Sequence, residues 1–205
     1  MALKAWWLYV TVVFIISATP GPNMLHVMNQ SIHYGPRRAM GTMAGLLSAV
    51  LLCLIASALG LGALLKASPK LFDVLRYAGA IYLIWLGIKA WRAPATEGGI
   101  TPAPRGRGWA LYGSGLLTGL SNPKLIIFAA ALFPQFIDTR GAFATQLTIL
   151  VLTFVVIECI WYAVYALGGH GIARYLAPAA RQRLFNRLTG GIFIGFGGVL
   201  LSHRI

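Results

Sequence analysis

The sequence predicts an all-α membrane protein of six transmembrane helices, arranged as two inverted three-helix repeats with helices 1 and 4 interrupted. Three observations lead there. The 205 residues are 58% hydrophobic and only 10% charged, against roughly 25% charged residues in a soluble domain. Apolar stretches near the ~20 residues that cross a ~30 Å hydrocarbon core recur along the chain with short polar joints between them. Two of those stretches carry a proline-bearing interruption near their middle.

The first span runs from about Leu3 to Ser31 and contains "SATPGPN", Ser17 to Asn23. Two prolines and a glycine there must break a helix, because proline lacks an N–H and clashes with the preceding turn. Lys4 and the apolar run after it resemble a secretory signal, but the small-residue pattern of a cleavage site is poor around Ile16 to Ala18, so a retained helix is expected. The second span, about Ala39 to Leu65, and the third, about Leu71 to Trp91, are uninterrupted. A polar linker, residues 93–110, then divides a first repeat (1–92) from a second (111–205) within one integral membrane domain.

The fourth span, about Leu111 to Phe136, carries "SNPK" at its middle, the counterpart of the first break. The fifth, about Phe143 to Gly168, holds Glu158 near its centre, and the sixth runs from about Phe185 to Ser202. Spans three and six read as copies: in "AGAIYLIWLGIKA" and "TGGIFIGFGGVLL", Gly79 matches Gly190, Tyr82 matches Phe193 and Gly87 matches Gly198. A three-span unit repeated once is inverted, since an odd number of crossings reverses the side of entry.

Charge sets the expected orientation. Loops one, three and five carry ten basic residues: Arg37, Arg38, Lys89, Arg92, Arg105, Arg107, Arg174, Arg181, Arg183 and Arg187. The other side carries six: Lys4, Lys66, Lys70, Arg76, Arg140 and Arg204. Basic residues stay in the cytoplasm, so both termini are expected on the periplasmic side of a bacterial inner membrane. The net charge of +13 does not point to nucleic acid, because the basic residues sit in short loops between apolar spans. Cys53 and Cys159 fall inside spans and read as small apolar residues rather than a disulfide.

The breaks carry the functional reading. Each backbone N–H or C=O freed within lipid costs several kcal/mol unless protein or a wet cavity satisfies it. Interrupted helices in corresponding positions of two halves therefore point to a transporter's substrate site. Asn23 and Asn122 stand beside the breaks, where an amide can both donate and accept. Lys124 follows Asn122-Pro123, and Glu158 is the only acidic residue well inside a span. An intramembrane ionisable group is a functional hypothesis by default, with a static Glu158–Lys124 ion pair as the alternative. Trp161, Tyr162 and Tyr165 share a helix face with Glu158, either to receive an ammonium group or simply to fill the interior.

"SATPGPNML" and "SNPKLIIFAAALFPQF" together resemble the LysE/RhtB family of amino-acid exporters over nearly the whole chain. The resemblance implies proton-driven efflux of an amino acid or close derivative, with no enzymatic reaction, cofactor or metal. Carried over by motif, the substrate-binding residues are Pro20, Gly21, Pro22, Asn23, Asn122, Pro123, Lys124 and Gln135, joined by Trp161 and Tyr162, with Pro134 beside Gln135. An acidic residue in the fifth span, here Glu158, is also typical of the family. Burial and a nearby cation, here Lys124, shift a carboxylate's protonation in opposite directions, so Glu158 is expected to be the proton-coupling residue. The partners expected are the amino acid, protons and the lipid bilayer; a homo-oligomer stays open. Two other classes fit the hydropathy. A membrane thiol–disulfide carrier needs cysteines at the breaks, which are absent there, and a passive channel or scaffold gives Glu158 and Lys124 no coupling role.

Overall fold

The computed structural model describes residues 3–67, 69–94, 108–138, 141–176 and 178–202, and every regular element among them is helical. Most of the linker, with Arg105 and Arg107, lies outside the described residues, as do Arg140 and Arg204 and the side chains of Lys66, Lys70, Asp73 and Arg76.

The first span is two helices, α1 (Leu3–Ala18) and α2 (Pro22–Tyr34), bent by 50° at the break. Gly35, with φ of 82°, turns the chain directly into α3 (Pro36–Ala67), followed by α4 (Pro69–Arg92). That left-handed φ suits glycine, which has no Cβ to clash. The fourth span is α5 (Gly108–Leu120) and α6 (Pro123–Ile127), with a bend of 53° between α5 and the stretch Pro123–Phe136. Then come α7 (Phe143–Leu176) and α8 (Ala179–Ser202).

Among the described residues, two helices, over Pro36–Gly60 and Phe143–Gly169, are long and apolar enough to cross a membrane singly, and the two bent pairs pass the same measure when each is taken together. The fourth span does not run on as a regular α-helix to Phe136: after α6 it widens into a π-helical turn, Phe128–Leu132, and tightens into a 3-10 turn, Phe133–Phe136. Pro134 explains the change, since it cannot donate to Ala130 and its ring crowds that carbonyl.

Two helix pairs approach closely through glycine. A Cβ placed on Gly45 would lie 2.0 Å from the Tyr112 carbonyl oxygen, and one on Gly115 would lie 2.2 Å from that of Thr42, so α3 and α5 run parallel with backbones nearly touching. In α4 and α8, Gly87 faces Gly190 while Ala80 faces Gly197, so that pair is antiparallel. In lipid no hydrophobic force drives helices together, and small residues supply the close packing instead. α7 lies parallel to the first span: Leu150 receives the hydroxyl of Tyr9, Ser17 reaches Glu158, and Ser31 donates to the Ala166 carbonyl.

Gly45→Val is accordingly expected to force α3 from α5. It should lower the thermal midpoint of the solubilised protein by the equivalent of roughly 1–3 kcal/mol or more. Gly60→Val, with nothing within 4 Å, should leave the midpoint unchanged.

Candidate functional site

The two breaks meet. Asn122 Nδ2 donates to Asn23 Oδ1 at 2.8 Å, and both amides are buried. Asn122 caps α6, its Oδ1 accepting the backbone N–H of Lys124 at 3.0 Å, with Pro123 at the first helical position, where a missing N–H costs nothing. Across the contact, Gly21 is the N-cap of α2, with Pro22 again first. Gly21 brings no side chain, so the start of α2 has no side-chain cap.

The loose end of α1 is held by Lys124. Its Nζ donates to the carbonyls of Ile16 and Thr19, 3.0 Å each. Those oxygens form the negative end of a broken helix dipole, where a cation is favourable. The absence of a Cβ at Gly21 makes the approach possible: one placed there would lie 3.1 Å from Nζ and 3.3 Å from Cε. Thr19 N and Oγ1 both return to Ile15, and the hydroxyl of Tyr165 donates to the Ala18 carbonyl at 2.9 Å. The carbonyls of Ile15, Ile16, Ala18 and Thr19 at the break are thus satisfied by protein, as lipid demands.

Glu158 completes the cluster. It is 5% exposed, and its Oε1 accepts the Ser17 hydroxyl at 3.1 Å. Its Oε2 has no hydrogen-bond partner among the described residues. The Tyr162 hydroxyl lies beside both Glu158 and Asn23 without reaching bonding geometry to either. Lys124 is within electrostatic reach of Glu158, yet its hydrogen bonds go to backbone carbonyls. The two are not a contact ion pair, because the broken helix offers the ammonium nearer acceptors.

Pro20, Gly21, Pro22, Asn23, Asn122, Pro123 and Lys124 therefore belong to one junction between α1/α2 and α5/α6, with Glu158 and Tyr162 facing it from α7. Trp161 is half-buried beside Phe14, with ring centroids 5.1 Å apart, and its Nε1 has no partner among the described residues. Gln135 is elsewhere. It lies in the 3-10 turn whose Phe133 and Phe136 flank Tyr9, about 14 Å along α1 from Ala18 at 1.5 Å per residue. Sequence reasoning passed over Ser17 and Thr19, although both stand in the first break motif. A hydroxyl in a helix usually bonds back to its own turn, so nothing in the spacing assigned Ser17 to Glu158.

Tyr162 also lines an apolar cavity of 530 Å³ between α3 and α7, walled by Met40, Met43, Leu47 and Cys159 among others. Cys53 and Cys159 are both free thiols, one on α3 and the other on α7.

The family model described as LysE type translocator matches residues 14–204. The chain is 33% identical over 204 residues to a homoserine/homoserine lactone efflux protein of Salmonella typhimurium, covering 100% of this chain and 99% of the relative. It is 32% identical over 205 residues to a leucine efflux protein of an Enterobacter species, covering 96% and 95% respectively. No solved structure gives a significant match.

Proposed function

Since the chain belongs to the LysE-type translocator family, we propose that it is a secondary exporter moving amino acids or close derivatives out across a bacterial inner membrane, driven by protons. One observation carries the reading: two broken helices meet at a buried polar junction that contains a carboxylate with a free oxygen. Substrate binds at that junction. Its carboxylate takes the uncapped start of α2, where N–H groups and the helix dipole favour an anion. Its ammonium takes Glu158 Oε2 and the Tyr162 hydroxyl, and its side chain enters the apolar cavity that Tyr162 lines. A single acidic group beside Lys124 disfavours a dibasic substrate.

The architecture in this reading is six crossings in two inverted repeats. Helix directions support it: α3 and α5 are parallel, α7 is parallel to the first span, and α4 and α8 are antiparallel. So does the reciprocity of the junction. The cap residue of α6, Asn122, bonds Asn23 at the second position of α2, while Lys124 at the second position of α6 abuts the cap residue of α2, Gly21. The count of basic residues puts both termini outside, so reporters fused after Arg105 and after Arg204 should report opposite sides.

Overexpression in a sensitive bacterial strain should raise tolerance to toxic analogues of homoserine or leucine, with faster efflux of the labelled amino acid. A strain whose tolerance to a full panel of amino-acid analogues does not change would contradict the assignment.

A further inference from the structure

α2 carries polar side chains that the junction does not use, among them His26 and Gln30. With Asn23 of the junction these two stand at i, i+3 and i+7, on one helix face. The neighbouring face, Met24, Val27 and Ser31, packs against α7. His26 Nε2 lies 3.1 Å from Ser114 Oγ on α5. Gln30 is 0% exposed, and neither Oε1 nor Nε2 has a partner among the described residues. Thr42 on α3 is also 0% exposed, and its Oγ1 is equally unpartnered. Its backbone abuts Gly115, next to Ser114.

Helix rise puts these groups in a file. Asn23, His26 and Gln30 stand about 18, 14 and 8 Å from the Gly35 turn along α2, and Thr42 about 10 Å from it along α3. An unsatisfied buried polar group is costly, whereas apolar side chains of the same shape are close to neutral. Gln30 and Thr42 therefore weaken the closed packing of α2 on α3 and α5. The helix that bears this face is a 13-residue rod with Pro20-Gly21 at one end and Gly35 at the other, two joints able to absorb a swing.

We propose that this face of α2, with Ser114 and Thr42, is a second polar site. It is a passage from the Gly35 end to the junction, lined for water and the charged head of a zwitterionic amino acid, and it opens when α2 swings away from α5. The structure is closed at this end. The amide of Gln30 serves both an ammonium and a carboxylate, and the hydroxyls of Ser114 and Thr42 do the same. This rests on the exporter reading above.

The test uses the full chain with Cys53→Ala and Cys159→Ala, carrying Gln30→Cys, Thr42→Cys or, on the outward face of α2, Leu25→Cys. Membrane vesicles of both orientations are treated with a charged, membrane-impermeant thiol reagent, and efflux of labelled homoserine and leucine is followed in parallel. Cysteines at 30 and 42 should react from the Gly35 side and be slowed by substrate, while the one at 25 should not react. Gln30→Leu should cut efflux about tenfold with the thermal midpoint unchanged or raised, which a purely structural glutamine would not give. Cysteines at 30 and 42 unreactive from both sides in protein that still exports would overturn the passage, as would Gln30→Leu exporting at the wild-type rate. Equal reaction at 25 would also overturn it, since the water would then be entering a loosened protein. Failure of the unsubstituted chain to export any amino acid would count instead against the exporter reading, which the thiol chemistry does not depend on.

Discussion

Glu158→Gln abolishes uphill export while labelled substrate still exchanges across the membrane. Glutamine keeps the shape of the side chain and an oxygen to accept the Ser17 hydroxyl, which now meets Glu158 Oε1 at 3.1 Å. What it lacks is an exchangeable proton and a negative charge. In the proposed mechanism the proton and the substrate ammonium compete for the same carboxylate. Ammonium binding displaces the proton, and reprotonation from the outer side releases the substrate where protons are abundant. With glutamine the site loads and unloads without reference to the gradient, so net flux follows the substrate's own concentration difference. The assay is counterflow of labelled homoserine and leucine beside accumulation driven by an imposed pH difference. Gradient-driven export that persists at the wild-type rate would make the carboxylate structural and move the coupling group elsewhere.

Lys124→Met is expected to cost both stability and transport. The ammonium holds the carbonyls of Ile16 and Thr19 at the loose end of α1. Methionine fills similar volume but leaves the Thr19 oxygen unpaired away from water, at roughly 1–3 kcal/mol, and the Ile16 oxygen with only the 3.3 Å bond from the Thr19 N–H. It also removes the positive charge that balances Glu158. The thermal midpoint should fall, and export should fall about tenfold or more, as expected for the loss of about 1.4 kcal/mol or more from the functional state. Arginine should not rescue it, because the lysine tip already lies at contact distance from Gly21 and a guanidinium is broader and planar. A Lys124→Met protein of wild-type stability and rate would show that neither contact matters.

Proline and glycine made the breaks legible in the sequence, because their effect on a helix is local and needs no tertiary knowledge. Asn23, Asn122 and Glu158 were legible for a related reason: polar groups are rare and expensive in spans, so each one asks for a purpose. What the junction does with them was less visible. Lys124 looked like a partner for Glu158, since opposite charges attract at a distance, but the freed carbonyls of α1 are closer and accept its protons. Gln135 followed the second motif in sequence, yet the turns around Pro134 carry it to the Tyr9 end of α1. Gln30 and Thr42 gave no signal at all, since isolated amides and hydroxyls are ordinary in helices until their surroundings are known.

The central claim is that a proton gradient moves an amino acid through the junction of the two breaks. The most direct measurement is transport by the purified protein in liposomes under an imposed pH difference, with labelled homoserine and leucine supplied separately. Movement of either substrate against its own gradient, opposite to proton flow, collapsed by a protonophore and lost in Glu158→Gln, is expected. Flux that ignores the pH difference, or no flux of any amino acid from protein shown to be folded, would contradict it.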